Sequence, residues 1–240
     1  MDIYALPTIG ERIKGNAYVG RGIAVGLTAD GKKAAAAYFI MGRSANSRNR
    51  IFSVDGETVT TRPFDESKVE DPSLIIYAAI RRVGDTLIVT NGDQTDTIAE
   101  GLEKGLDFAS SLRSRAFEPD APNFTPRISA ALELSKDAYA YQMSILKSAD
   151  EKGSACNRYT FEYAPLAGVG HFIHTYVCDG NPIPTFQGEP ERIAIGNDID
   201  AWTSDIWNNL NEDNRISLYV RMIDLETGES EERLINKNLD

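Results

Sequence analysis

The segment Tyr18-Val19-Gly20-Arg21-Gly22-Ile23-Ala24-Val25-Gly26-Leu27, then the turn Ala29-Asp30-Gly31-Lys32, then Ala34-Ala35-Ala36-Ala37-Tyr38-Phe39-Ile40-Met41, decides the fold class. Two apolar runs of strand length around an Asp-Gly turn read as a β-hairpin. Gly20, Gly22 and Gly26 evoke a dinucleotide-binding loop, but their spacing is wrong for one. A hairpin follows them, not a helix whose N-terminus would receive a pyrophosphate. They read better as points where a backbone or a ligand comes close, which makes Arg21 a candidate site residue.

The pattern continues outward. Strands are predicted over 51–54 and 58–61 around Asp55-Gly56, and over 86–90, ending at the turn Asn91-Gly92. A third hairpin spans 127–134 and 138–146 across Ser135-Lys136-Asp137. Further strands fall at 158–163, 171–177, 192–195 and 217–223. Thr95 or Asp96 can cap a helix with Ile98, Leu102, Leu106, Ala109 and Leu112 at helical spacing. A second helix covers 200–210, with Trp202, Ile206 and Leu210 on one face. Pro72 can open a short helix through Leu74, Ile75 and Tyr77, in a run too brief to separate from a strand. Many hairpins, few helices and no βαβ alternation define an α+β protein rich in antiparallel sheet. No internal repeat occurs, and the Pro/Gly-rich stretch 180–190 reads as a long loop within one domain spanning 1–240.

The chain has 240 residues, 42% hydrophobic and 25% charged, with a net charge of -11. Such charge repels nucleic acid and anionic membranes from any broad face. No apolar run approaches the roughly 20 residues of a bilayer span. The start Met1-Asp2-Ile3-Tyr4 lacks the features of a signal peptide, so a cytoplasmic location is expected and the Asn123-Phe124-Thr125 sequon is idle. Cys156 and Cys178 imply no disulfide framework and are expected as buried thiols.

Against this acidic background, Met41-Gly42-Arg43-Ser44-Ala45-Asn46-Ser47-Arg48-Asn49-Arg50 concentrates positive charge. The planar guanidinium fork suits phosphate or carboxylate; a solvated loop is the alternative. Asn91-Gly92-Asp93-Gln94-Thr95-Asp96-Thr97 joins a buried strand to a helix start, where polar groups either converge on a ligand or simply form a turn and cap. Phe117-Glu118-Pro119-Asp120-Ala121-Pro122-Asn123-Phe124-Thr125-Pro126-Arg127 is a proline-stiffened loop presenting Glu118 and Arg127. His171 and His174 lie three residues apart on a strand and so face opposite ways, which disfavours a shared metal. Gly-x-Ser-x-Gly is absent.

In order, Tyr18-Val19-Gly20-Arg21, Arg43-Ser44 with Asn49-Arg50, Leu74-Ile75-Ile76-Tyr77 with Val83-Gly84-Asp85, Asn91-Gly92 with Thr95-Asp96, and Phe117-Glu118 with Thr125-Pro126-Arg127 resemble the archaeal-type inosine monophosphate (IMP) cyclohydrolase family. The resemblance covers roughly the first 150 residues; 150–240 is an extended tail that the pattern matches poorly. The arginine loop is longer than the Arg-Ser-Phe-Pro-Asn-Arg of the archaeal pattern. The resemblance implies two stacked, mainly antiparallel sheets flanked by helices, a four-layer αββα fold like that of N-terminal-nucleophile hydrolases. The chain starts Met-Asp, so N-terminal nucleophile chemistry is not expected.

The implied reaction is the last step of purine synthesis. A formamidoimidazole-carboxamide ribonucleotide closes its pyrimidine ring and loses water. Nucleophile and electrophile share one molecule, so the enzyme must freeze the reactive rotamer, clamp the phosphate, stabilise an oxyanion and move protons. No cofactor or metal is needed. The implied catalytic residues are Tyr77, Glu118 and Arg50. Arg21, Arg43, Ser44, Asn91, Thr95, Asp96 and Arg127 are the implied binding residues, with Arg43, Arg50 and Arg21 the candidates for the phosphate. An amide hydrolase on the same scaffold and a non-catalytic purine-nucleotide-binding protein are the alternatives, and a homo-oligomer remains open.

Overall fold

A computed structural model describes residues 2, 4–69, 75–135 and 138–239. The opening hairpin forms as β1 (Arg21–Leu27) and β2 (Lys33–Met41), in continuous antiparallel register from Arg21 opposite Ile40 to Leu27 opposite Ala34. The alanines at 34–37 allow close packing on both faces, so every residue of β2 after Lys33 is buried. A Cβ at Gly26 would lie 2.5 Å from Gly170 Cα, so the glycine permits β1 to meet its other neighbour closely.

That neighbour comes from the far end of the chain. The first sheet is ordered β11 (Glu191–Ala194), β10 (Val169–His174), β1, β2, β12 (Arg215–Asp224), β13 (Ser230–Asn236). The second runs in chain order: β3 (Ile51–Asp55), β4 (Thr58–Arg62), β5 (Tyr77–Val83), β6 (Thr86–Thr90), β7 (Arg127–Glu133), β8 (Ala140–Ser148), β9 (Cys156–Tyr163). All described pairings are antiparallel, in agreement with the α+β expectation. Strands from 150–240 thus lie in both sheets and flank the opening hairpin on both sides.

The sheets share one apolar cluster, with Ile23, Val25 and Tyr38 from the first meeting Val59, Leu87, Val89 and Met143 from the second. On the first sheet's other face, Phe39, Phe172 and Leu218 pack with α1 (Ile9–Ile13) and α5 (Ile199–Asn209) through Ile9, Ile13, Trp202 and Ile206. On the second sheet's other face, Ile88 and Ala131 pack with α3 (Gln94–Glu103) and α4 (Phe108–Ser111) through Ile98, Ala99 and Phe108.

Several expectations are corrected. The helix after Asn91 starts at Gln94, with Asp93 at its N-cap, because the Thr95 hydroxyl is engaged with Thr90 Oγ1 at 2.6 Å. It stops near Lys104 before Gly105, whose φ of 78° favours glycine, so Leu106 and Ala109 are exposed and Phe108 packs instead. The expected strand 171–177 ends at His174, and Tyr176 makes only an isolated bridge to Thr185. Cys156 is partly exposed and Cys178 exposed, not buried. The helical opening at Pro72 and Leu74, and the turn residues Lys136 and Asp137, lie outside the described residues; from Tyr77 the chain is strand. Among the described residues no helix is long and apolar enough to cross a membrane.

His171 faces the second sheet, stacked on Tyr163 with centroids 3.6 Å apart, while Tyr141 Oη lies 2.8 Å from its Nδ1. Burial and the nearby Arg192 push its pKa down to about 4. Unfolded, the same ring takes a proton near its ordinary value of 6.5. Between these values the unfolded chain binds a proton that the folded chain refuses, so stability is full above the window and falls as pH falls through it. Chemical denaturation across this range should show a pH-dependent loss that His171→Gln removes; equal slopes in both proteins would show that His171 does not carry it.

Candidate functional site

At one end of the sheets, the start of β1, the segment after β2 and the 117–127 loop surround a cleft of about 300 Å³. Its walls are Tyr18, Arg21, Arg43, Ser44, Asn46, Ser47, Arg50, Glu118, Asp120, Asn123, Thr125, Tyr176 and Ile183.

Arg21 enters because Gly20 precedes it with φ 78°, where a Cβ would lie 2.1 Å from Thr175 Oγ1. The Arg21 backbone N–H donates to that same oxygen at 3.1 Å. After β2 the chain makes the single turn α2 (Ala45–Arg48), closed by Ser44 and Ser47, whose hydroxyls each accept the other's backbone N–H, at 3.1 and 3.0 Å. This turn sorts the polar decamer. Arg48 faces away and donates to Gly42 O and Asn214 Oδ1, while Asn49 is tied to the backbone of Asp65. Arg43 and Arg50 face the cleft. Arg43 sits at the rim with its guanidinium 5.1 Å over the Tyr18 ring and donates to Asp179 and to Gly180 O. Arg50 lies deeper, 6% exposed, and its buried Nε has no hydrogen-bond partner among the described residues. Asn46 Oδ1 is likewise buried without a partner.

Charge concentrates at the bottom. Burial works against the Arg21 cation, but the oxygens of Tyr18, Tyr77, Glu118 and Tyr38 outweigh it and raise its pKa. Burial and Arg21 both lower that of Arg50. Burial pushes the Glu118 carboxyl up, against the pull of Arg21 and Arg127. Tyr77 adjoins this cluster, and its hydroxyl lies 2.9 Å from that of the fully buried Tyr38. Glu118 is fixed by its own backbone, whose N–H donates to Thr125 O at 2.9 Å.

The structure therefore brings Arg21, Arg43, Ser44, Arg50 and Glu118 together, with Tyr77 beside them. Arg127 is one layer behind: it donates to Gln94 Oε1 at 2.8 Å, pairs with Asp93 at 2.7 Å, and exerts its charge on Glu118. Asn91 supports the loops, accepting from Ile128 N and donating to Pro126 O. Thr95 and Asp96 do not reach the cleft. Thr95 is fully buried against Thr90 and Gly92 O, and Asp96 is exposed on α3, paired with Arg81. Sequence reasoning missed Tyr18 and Tyr176, whose rings stack at 5.8 Å, and Asp120, which accepts from Thr125 N at 2.6 Å. Tyr176 and Ile183 come from beyond residue 150; the Pro/Gly-rich stretch after Cys178 was the only sequence signal nearby. His174 is spent locally, its Nδ1 2.7 Å from Tyr176 O.

A family model described as IMP cyclohydrolase-like protein matches residues 18–229. The chain is 38% identical over 204 residues to the IMP cyclohydrolase of Methanopyrus kandleri, covering 78% of this chain and 98% of that protein. It is 31% identical over 166 residues to that of Methanococcus aeolicus, covering 67% of this chain and 75% of the relative. With the IMP cyclohydrolase of Methanocaldococcus jannaschii it shares 34% identity over 117 residues, 48% of this chain and 57% of the relative. The matched residues include every wall of the cleft, and the chain belongs to the IMP cyclohydrolase-like family.

Proposed function

We propose that the chain is an IMP cyclohydrolase that closes the pyrimidine ring of 5-formamidoimidazole-4-carboxamide ribonucleotide with loss of water. The observation that carries this reading is the convergence of Arg21, Arg50 and Glu118 in the wall of one cleft, with Tyr77 beside them, in an acidic protein. A buried group of two guanidiniums and one carboxylate has room for another negative charge, and ring closure generates one on the formyl oxygen. The helices packed outside the two sheets support a four-layer αββα arrangement like that of N-terminal-nucleophile hydrolases, built as one domain.

The rim and the bottom divide the work. A phosphate dianion keeps part of its hydration at a rim, so Arg43, with a third of its side chain exposed, takes the 5′-phosphate alongside Ser44. Arg43 uses one nitrogen on Asp179 and Gly180, which leaves other donors of its fork free. The base lies below, where water is excluded. As the carboxamide nitrogen attacks the formyl carbon, its proton passes to the Glu118 carboxylate. The formyl oxygen gains negative charge, receives the Tyr77 hydrogen bond and faces the Arg21 and Arg50 cations. Glu118 returns that proton to the oxyanion to form a hydroxyl. It then takes the formamido N–H as the ring C=N bond forms and passes it to the hydroxyl, whose bond to carbon breaks as it leaves as water. In this reading Tyr38 is the donor in its 2.9 Å hydrogen bond with Tyr77, which leaves the Tyr77 hydrogen for the substrate.

Incubating the pure protein with the formylated ribonucleotide and following IMP by absorbance tests the reading; tight binding without turnover would overturn it in favour of a nucleotide-binding protein. Arg43→Ala should raise KM by roughly ten-fold or more, as expected for a lost charge-assisted contact of about 1.5–3 kcal/mol, with kcat nearly unchanged. Arg50→Ala should lower kcat instead, and Arg50→Lys should recover it only in part because the fork is lost.

Glu118→Gln and Tyr77→Phe should each lower kcat on the order of 10²-fold or more with binding retained. Since the base form of Glu118 is required, kcat should fall as pH falls, with a midpoint above the ordinary glutamate value. Glu118→Gln should lose that limb; a folded variant with normal turnover and the same profile would remove Glu118 from the mechanism.

A further inference from the structure

Four strands lie at the edges of the two sheets, and three of them are blunted. The edge of β3 is held by a side chain: Phe52 N donates to Asn236 Oδ1 at 2.8 Å, and Asn236 Nδ2 donates to Phe52 O at 3.0 Å. β11 is only four residues long, and the N-terminal segment covers it, with Ala194 N donating to Pro7 O at 2.9 Å. β13 carries Glu231, Glu232 and Arg233 in succession. These are the devices by which soluble proteins keep sheet edges from pairing with other chains.

β9 is neither short nor covered, and its two charges, Arg158 and Glu162, are single and of opposite sign. Its sequence, Cys156-Asn157-Arg158-Tyr159-Thr160-Phe161-Glu162-Tyr163, is eight residues long, free of proline and lysine. It pairs with β8 in unbroken register, without a bulge. Among the described residues no backbone group bonds its outer edge. Its aromatic residues lie on the face turned to the shared core: Phe161 and Tyr163 pack against that cluster, while Tyr159 remains 44% exposed.

We propose that β9 pairs antiparallel with β9 of a second copy of this chain, centred on Thr160, so that the two seven-stranded sheets become one. The charges select this register. With Thr160 opposite itself, Arg158 of each copy stands opposite Glu162 of the other, so both charges find an opposite-sign partner across the two-fold axis. Tyr159 stands opposite Phe161 on the core-facing side, which keeps the inner faces of both sheets continuous. Shifting by two residues in either direction separates the charges. The present contacts of the two charged side chains, Arg158 with the Arg115 and Cys156 carbonyls and Glu162 with Gln142, leave acceptor and donor capacity for this exchange.

Sedimentation of the full chain tests the proposal. The wild type should sediment at twice the chain mass. Thr160→Lys places two cations face to face at the axis and should give the monomer, as should Arg158→Glu or Glu162→Arg alone, each of which sets like charges in opposition. The double variant Arg158→Glu with Glu162→Arg should restore the dimer, since the swapped pairs are again complementary. All three altered positions, 158, 160 and 162, are exposed on the edge strand, and circular dichroism reports whether each variant is folded. A wild-type monomer, a dimer that persists with Thr160→Lys, or a folded double variant that stays monomeric would each overturn the β9 interface.

Discussion

Arg21 and Arg50 share the bottom of one cleft, and the rest of the site is arranged around keeping these two like charges together. Burial opposes both, Arg21 further disfavours the Arg50 cation, and the Glu118 carboxylate offsets this for both. A buried ion stripped of its partner costs about 3–5 kcal/mol, so the cluster is stable only because the fold supplies compensation from several directions. Arg21 comes from the first residue of β1, Arg50 from the residue before β3, Glu118 from a loop between the helices and β7, and Tyr77 from the start of β5. The two sheets must therefore be stacked for the cluster to exist at all.

The same balance makes the cleft suited to an anionic transition state. Glu118 is held above its usual range by burial, so it is a better base than a surface carboxylate. Arg50 Nε is buried without a hydrogen-bond partner among the described residues, and its side chain lines the cleft, so the proposed reaction has a donor there to use. Outside this bottom layer, Arg127, Asp93, Gln94 and Asn91 bind one another and the backbone of the loops. They fix geometry, and Gly92 lets them approach: a Cβ there would lie 2.6 Å from Arg127 Nη1.

What the sequence disclosed follows the same physics. The opening hairpin was legible because its apolar runs are long and its turn is an Asp-Gly; β13 was not, because an edge strand reads as alternating charge. α1 spans too few residues for any period to show. At the site, Arg43, Arg50 and Glu118 stood out as charges in unusual surroundings. Thr95 and Asp96 stood out for the same reason and were misleading, since dense polarity around a turn was consumed by the turn itself. Tyr18, Tyr38 and Tyr176 were hidden in apolar runs that look like core, and two of them do serve as core while lining the cleft. Tyr176 also illustrates a limit of local reading, because its stacking partner Tyr18 lies across the first sheet's strand order, not nearby in sequence.

The most direct measurement is a crystal structure of the protein with IMP bound. The expected result places the phosphate against Arg43 at the rim and the base at the bottom, with its six-membered ring between Glu118 and Tyr77 and within reach of Arg50 Nε. A nucleotide bound outside this cleft, or one bound in it with the base at the rim and the phosphate on Arg21 and Arg50, would contradict the assignment of the buried charge cluster to ring closure.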